Sequence, residues 1–205
     1  MSRLVDHPEE YFARLTADRD EILLRLEREA EEETIPIVGP VVGRFLEILV
    51  RAVGARRVLE LGCATGYSAI FLARGLTGGG GKVLTVENNP ERAVRARENF
   101  AAAGLSGAVE LLEGDGAEIL GGIGETVDLI FLDVEKEAYV QVFPHCRRLL
   151  RPGGLLVADN TAFRDAVPFV EAVSKEEGWQ AVHLFSYLPG HSPERDGLTI
   201  AQKIT

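Results

Sequence analysis

Two aspartates and an asparagine follow apolar runs that are typical of buried strands. Asp133 ends the run Asp128-Leu-Ile-Phe-Leu-Asp133, and the pair Asp159-Asn160 ends Gly153-Gly-Leu-Leu-Val-Ala-Asp-Asn160. In open α/β sheets, ligands bind just outside the carboxyl ends of the strands. Carboxylate and amide oxygens are the hard ligands that Mg²⁺ and Ca²⁺ prefer. The spacing therefore predicts half of a coordination shell for a divalent cation at Asp133, Asp159 and Asn160.

A glycine-rich turn joins a strand to a helix in Glu60-Leu-Gly-Cys-Ala-Thr-Gly-Tyr-Ser68. Its Gly62 and Gly66 lack the middle glycine of a dinucleotide fingerprint, which lets the backbone approach a pyrophosphate. S-adenosylmethionine contains no phosphate and fits such a turn. Its ribose needs a carboxylate, and Glu87 ends the next strand, about 20 residues further on. The alternative for Glu87 is a solvated acid at a strand end.

Composition narrows the classes of protein and partner. The chain has 205 residues, of which 46% are hydrophobic and 26% charged, and a formal net charge of −10. We expect one domain over residues 1–205, with a helical extension at 1–34. The negative charge argues against a nucleic-acid or anionic-membrane partner. The sequence starts with a mixture of polar, charged and apolar residues, and it has no apolar stretch of about 20 residues. Its two cysteines are far apart. We therefore expect a cytoplasmic protein with free thiols.

Strands and helices alternate along most of the chain and would bring these groups to one edge of a sheet. The apolar patterns predict two helices before the first strand, at 8–32 and 41–53. Strands are predicted at 57–62, 82–87, 109–114, 128–133, 155–159, 180–187 and 198–203, and further helices at 68–75, 90–103, 117–120, 138–150 and 166–177. The alternation predicts a doubly wound, seven-stranded α/β sheet, mostly parallel, with an antiparallel hairpin at its C-terminal edge.

Three motifs resemble those of the cation-dependent O-methyltransferases, the group that contains catechol and caffeoyl-CoA O-methyltransferases. They are Val58-Leu-Glu-Leu-Gly-Cys-Ala-Thr-Gly-Tyr-Ser-Ala69, Phe131-Leu-Asp-Val-Glu-Lys-Glu-Ala-Tyr139 and Gly153–Asn160, followed by Asp196-Gly-Leu-Thr. The first motif is common to methyltransferases, whereas the second and third together indicate the metal-dependent branch. The resemblance extends from about Ile35 to Lys203 and implies a Rossmann-like fold.

The resemblance also assigns roles to individual residues. Asp133, Asp159 and Asn160 match the metal ligands, and Lys136 matches the catalytic lysine. The positions that match contacts to S-adenosylmethionine are Glu60, Gly62, Ser68, Glu87 and Asp133, with Gly116 near the adenine and the backbone of Val38 near the methionine part. The metal is then Mg²⁺, with Ca²⁺ or Mn²⁺ as alternatives, the substrate is a small phenol, and a homodimer is expected because relatives of this family are often dimers.

Two departures from the family pattern bear on the substrate. The usual Asp-Ala-Asp-Lys is Asp133-Val-Glu-Lys136 here, which keeps the charge at Glu135. After Asn160 the family commonly has a tryptophan and a Gly-Lys segment, whereas Thr161-Ala-Phe-Arg-Asp165 continues directly into a short helix. We therefore expect an open and tolerant acceptor pocket.

The chemistry of methyl transfer explains why such residues would be needed. A phenol has a pKa of about 10, so little of it is ionised at neutral pH. A divalent cation bound to two vicinal hydroxyls favours ionisation and orients both oxygens. Near that cation the charged form of Lys136 is disfavoured, which makes its amine available as a base. The alternatives are a metal-independent methyltransferase and a silent cofactor-binding module. His191 could reach the mouth of the substrate pocket, but we expect it on a loop surface.

Overall fold

The computed structural model describes residues 3–16, 18–76 and 79–205. In chain order the elements are α1 (Pro8–Arg14), α2 (Glu21–Glu33), α3 (Gly39–Ala52), β1 (Arg57–Leu61), α4 (Tyr67–Gly75), β2 (Lys82–Glu87), α5 (Pro90–Ala102), β3 (Val109–Glu113), α6 (Gly116–Gly122), β4 (Val127–Leu132), α7 (Ala138–Leu149), β5 (Leu150–Ala158), a 3₁₀ turn (Arg164–Ala166), α8 (Val167–Lys175), β6 (Trp179–Tyr187) and β7 (Arg195–Lys203).

The seven strands form one sheet in the order β3-β2-β1-β4-β5-β7-β6. β1 to β5 are parallel, whereas β7 pairs antiparallel with β5 and β6 antiparallel with β7. This confirms the predicted Rossmann-like doubly wound fold with its antiparallel hairpin. The strand order reverses between β1 and β4, and a crevice at such a switch point is where open α/β sheets bind ligands.

Helices cover both faces of the sheet because the central strands carry apolar side chains on both sides. On one face α2, α3 and α4 pack over residues such as Val58, Phe131 and Val157. On the other face α7 and α8 pack over residues such as Leu59, Ile130 and Leu156. Burial on both faces holds the strand ends rigidly, and the site depends on their positions.

The prediction of one helix over residues 8–32 is wrong, since the structure has two helices, α1 and α2, there. Asp20 ends the connection by capping α2, where its side chain accepts a hydrogen bond from Leu23 N at 3.2 Å. Leu23 and Leu26 of α2 are each only 1% exposed. Leu23 and Leu26 are thus covered by the chain itself, whereas α1 and the edge strand β6 carry exposed apolar side chains, among them Phe12 and Phe185.

Other predicted boundaries shift by a few residues. β5 begins at Leu150 and not at 155, because Leu150 already pairs with Val127 ahead of a register shift. β7 begins at Arg195 and not at 198, opposite Tyr187 at the end of β6. Across the described residues, no helix combines the length and apolar character needed to cross a membrane.

Candidate active site

A cavity of about 520 Å³ opens at the switch point, outside the carboxyl ends of the parallel strands. Nearly all of the predicted site residues line it, namely Val38, Gly62, Ser68, Glu87, Gly116, Asp133, Lys136, Asp159 and Asn160. Glu60 does not line the cavity, because it is fully buried beneath it. The fold thus brings the proposed cofactor residues and the proposed metal ligands to the two halves of one crevice.

Gly62 allows the ends of β1 and β4 to meet closely in the floor of this crevice. Its N–H donates to Val86 O at 3.0 Å, while Asp133 N donates to Leu61 O at 2.9 Å. Gly62 has φ +86°, and a Cβ at this position would overlap the backbone oxygen of Asp133. Any other residue here would therefore push Asp133 away from the turn.

The two carboxylates of the cofactor half have different environments. Glu87 supports the glycine-rich turn, because its oxygens accept hydrogen bonds from Ala64 N at 2.8 Å and Asn89 N at 2.9 Å. Burial raises the pKa of Glu60 to about 7, although the hydroxyls of Ser68 and Thr85 counteract the shift. Glu60 Oε2 accepts from Thr85 Oγ1 at 2.6 Å, whereas Oε1 has no hydrogen-bond partner among the described residues. One of the two carboxylate oxygens of Glu60 is therefore left without a hydrogen bond from the described residues.

Asp133 and Asp159 bring two negative charges together in the other half. Burial raises the pKa of Asp133 to about 6, and the charge of Asp159 adds to the shift while Lys136 opposes it. Lys136 Nζ lies 3.2 Å from Asp133 Oδ1 and also donates to Val134 O at 2.9 Å. The hydroxyl of Tyr139 lies 3.0 Å from the backbone oxygens of Leu132 and Asp159, so it fixes the ends of β4 and β5 relative to each other.

His191 belongs to this cluster, and the expectation that it lies on a loop surface is wrong. It is 5% exposed, and its Nε2 lies 2.9 and 2.8 Å from the two carboxylate oxygens of Asp159. Its Nδ1 lies 2.6 Å from Pro193 O, so both ring nitrogens face acceptors, an arrangement that favours the protonated ring. Burial acts to lower the pKa of His191, but the hydrogen bond and charge of Asp159 outweigh it and the pKa is raised.

Asn160 completes the set of proposed ligands. Its side-chain Nδ2 donates to Asp196 Oδ2 at 2.6 Å and to Ser192 O at 3.3 Å. The sequence showed Asp196 only as part of a recognisable motif, without a role. His191 was missed because a loop rich in proline and glycine gives no periodic pattern from which burial can be predicted.

The mouth of the crevice is open on the side after Asn160. Phe163 lines the cavity and remains 43% exposed. A second cavity of about 710 Å³ lies next to it, between the N-terminal helices and the β6–β7 loop, and shares Pro36, Ile37 and Ser192 with the first. Space for an acceptor larger than one aromatic ring is therefore present beside the cluster.

Comparison with known proteins gives a consistent result. The sequence model of the O-methyltransferase family matches residues 13–185. A catechol O-methyltransferase of Niastella koreensis is 34% identical over 206 residues, covering 98% of this chain and 90% of that protein. Two crystal structures superpose closely: an O-methyltransferase of Bacillus cereus in complex with SAH (TM-score 0.86, 29% identity, 96% of both chains) and the O-methyltransferase TomG of Streptomyces achromogenes, involved in tomaymycin synthesis, in complex with SAM (TM-score 0.88, 27% identity, 97% and 96%).

Proposed function

This chain belongs to the O-methyltransferase family and is an S-adenosylmethionine-dependent enzyme, and we propose that it methylates one hydroxyl of a vicinal diphenol held by a divalent cation. The observation that carries the proposal is the convergence of Asp133, Asp159, Asn160 and Lys136 beside the Gly62 turn in a single crevice. The turn serves the cofactor, and the other side chains serve the acceptor.

The residues of the crevice suit S-adenosylmethionine. Glu87 holds the turn through its two backbone hydrogen bonds and keeps further lone pairs for the ribose hydroxyls. Val38 and Gly116 both line the cavity, where they would contact the methionine and adenine parts respectively.

The donor set also fits a divalent cation. Asp133 and Asp159 supply charge, and Asn160 has its amide nitrogen engaged elsewhere, so that its oxygen is left for a ligand. Within the described ranges no group of three or more His, Cys, Asp or Glu side chains is arranged to hold a metal. In the proposed set the third protein oxygen would come from Asn160. Oxygen-only ligation favours Mg²⁺, Ca²⁺ or Mn²⁺ over softer metals.

Lys136 is the side chain placed to accept the phenolic proton. When bound, the cation supplies Lewis acidity that favours the phenolate and orients both acceptor oxygens. Lys136 Nζ lies within 3.2 Å of Asp133, at the border between the two halves, and takes the proton from the reacting hydroxyl. The carbon–oxygen bond then forms as the bond between methyl carbon and sulfur breaks, and the sulfonium becomes a neutral thioether.

Replacing Glu87 by alanine is expected to weaken S-adenosylmethionine binding by about 1–3 kcal/mol, the scale of a hydrogen bond to a charged group. Glu113 provides a matched control, because it ends the neighbouring strand β3 in register with Glu87 yet does not line the cavity. Calorimetric titration with S-adenosylmethionine should show the loss for Glu87→Ala and wild-type affinity for Glu113→Ala. Stronger thermal stabilisation of the wild type by NAD than by S-adenosylmethionine contradicts the cofactor assignment.

The runner-up is a methyltransferase that works without a metal, in which Asp159 and Asn160 only support the fold. The contact between His191 and Asp159 is the observation that favours it, since a protonated His191 would neutralise this carboxylate. A carboxylate has about four lone-pair sites, however, and retains room for a cation beside the imidazole. Dependence of turnover on added metal separates the two functions.

A further inference from the structure

Asp196 is a buried carboxylate with no role in the chemistry described above. It is the second residue of β7 and is only 1% exposed. Its Oδ1 accepts hydrogen bonds from Gly197 N at 2.6 Å and Ala162 N at 3.4 Å, and its Oδ2 accepts one from Asn160 Nδ2 at 2.6 Å. Burying a charge is costly unless hydrogen bonds compensate it. All of the compensating donors outside β7 come from the segment that carries the proposed ligand Asn160.

The partners of Asn160 determine which end of its amide faces the crevice. Asp196 Oδ2 and Ser192 O both lie at the amide nitrogen, and each of them can only accept a hydrogen bond. The NH₂ end must therefore face the β6–β7 segment, and a rotated amide would place oxygen against oxygen. No described residue donates to Asn160 Oδ1, and Asn160 is among the residues that line the cavity. Its oxygen is thus left to face the crevice.

Backbone contacts fix the same segment. Asn160 has the left-handed φ of +49°, which asparagine tolerates better than most residues. Thr161 N donates to Gly197 O at 2.9 Å, next to the hydrogen bond from Ala162 N to Asp196. Asp196 therefore holds both the backbone and the amide of this segment, and the amide has little freedom to turn.

We propose that Asp196 is a positioning residue that forces the side-chain oxygen of Asn160 toward the divalent cation. The inference rests on the proposed function, because it assumes that a cation binds beside Asn160. Replacing a residue that hydrogen-bonds to a metal ligand typically changes metal affinity 10–100-fold. Asp196 acts through the orientation of one amide, whereas the charge on Asp133 and Asp159 supplies the attraction.

Asp196→Asn is the informative substitution. A carboxylate can only accept hydrogen bonds, whereas an amide of nearly the same size can also donate them. An asparagine at this position can donate as well as accept, so it also stabilises the rotated amide of Asn160. We expect Mg²⁺ affinity, measured by calorimetry in the presence of S-adenosylmethionine, to fall about 10–100-fold. Affinity for S-adenosylmethionine itself should change less than about twofold, under 0.5 kcal/mol.

Asp128→Asn is the matched control. Asp128 also accepts two backbone hydrogen bonds, from Arg56 N and Arg57 N at 2.8 Å, but it lies at the opposite ends of the strands. Its replacement should leave Mg²⁺ affinity unchanged even if it lowers the melting temperature. A wild-type protein that binds no Mg²⁺ contradicts the proposed function, whereas wild-type Mg²⁺ affinity in Asp196→Asn contradicts the role of Asp196 alone.

A double-mutant cycle separates orientation from loss of charge and from loss of stability. A carboxylate at position 160 has two equivalent oxygens and needs no orientation, and in Asn160→Asp it faces the Asp196 carboxylate, so Asp196→Asn should leave Mg²⁺ binding unchanged or strengthen it in that background. An equal loss of Mg²⁺ affinity in both backgrounds shows that Asp196 acts through charge or folding and overturns the proposal. If Asp196→Asn alone does not fold, Mg²⁺ affinity is compared between Asn160→Asp and the double variant. A lower Mg²⁺ affinity in the double variant contradicts the proposal that Asp196 acts by orienting the Asn160 amide.

Discussion

Asp159→Ala is expected to abolish methyl transfer while leaving S-adenosylmethionine bound. Asp159 is 1% exposed, directly follows β5 and is one of the proposed metal ligands, whereas the proposed cofactor contacts lie at and around the Gly62 turn. Loss of one charged ligand removes the Lewis acid that favours the phenolate, an effect of about 4 kcal/mol or about a thousandfold in rate. Turnover assays with a vicinal diphenol and calorimetric titration with S-adenosylmethionine measure the two quantities separately.

A second variant distinguishes loss of the proposed metal ligand from misfolding. Asp159→Ala leaves His191 buried without its carboxylate, and an uncompensated buried charge can destabilise the fold by about 3–5 kcal/mol. Asp159→Asn keeps an oxygen that accepts a hydrogen bond from His191 Nε2, so it should destabilise the fold less than Asp159→Ala and still lose most activity. Asp165→Ala is the control, because Asp165 is an exposed acid close by in sequence. Full turnover in Asp159→Asn contradicts the assignment of Asp159 as a ligand.

Lys136→Ala should lower kcat about 10²–10⁴-fold, the usual contribution of a general base, and change KM much less. Lys136 Nζ faces the crevice beside Asp133 and lies 5.4 Å from the centre of the Tyr139 ring, which limits its freedom. Steady-state kinetics at saturating S-adenosylmethionine give the two constants for the diphenol. The loss falls mainly on kcat because Lys136 removes the proton of the reacting hydroxyl within the bound complex, and the oxygen attacks the methyl group after that.

Lys136→Arg distinguishes a base from a fixed charge. The guanidinium keeps the positive charge next to Asp133 but does not release its proton in proteins. If Lys136 is the base, the arginine variant is as slow as the alanine variant. Lys175→Ala, at an exposed lysine of α8 paired with Glu171, should retain wild-type kcat. An arginine variant with near wild-type kcat shows that Lys136 contributes charge only.

Much of the fold could be predicted because burial leaves a strong pattern in this chain. The central strands are apolar on both faces, and strands of this kind alternating with helices leave few topologies other than a doubly wound sheet. The break between α1 and α2 was missed because the apolar spacing continues across it. Only the cap formed by Asp20, a single local hydrogen bond, marks where α2 begins.

Site residues that directly follow parallel strands could be predicted from the sequence, whereas the roles of His191 and Asp196 could not. Asp133, Asp159 and Asn160 could be placed together because the ends of parallel neighbours meet at one edge of the sheet. His191 could not, since its burial depends on the path of the β6–β7 loop and on a partner 32 residues away. The role of Asp196 likewise depends on an antiparallel pairing that sets β7 beside β5.

The most direct test of the account compares catechol with phenol as acceptors at varied Mg²⁺, after exhaustive chelation with EDTA. Chelation requires two adjacent oxygens, so phenol should react at least tenfold more slowly than catechol, a difference of about 1.4 kcal/mol in barrier. Turnover of catechol should disappear with EDTA and return as Mg²⁺ is added back. Equal rates on the two acceptors, or full activity after chelation, contradict a metal-held diphenol even though the chain is a methyltransferase.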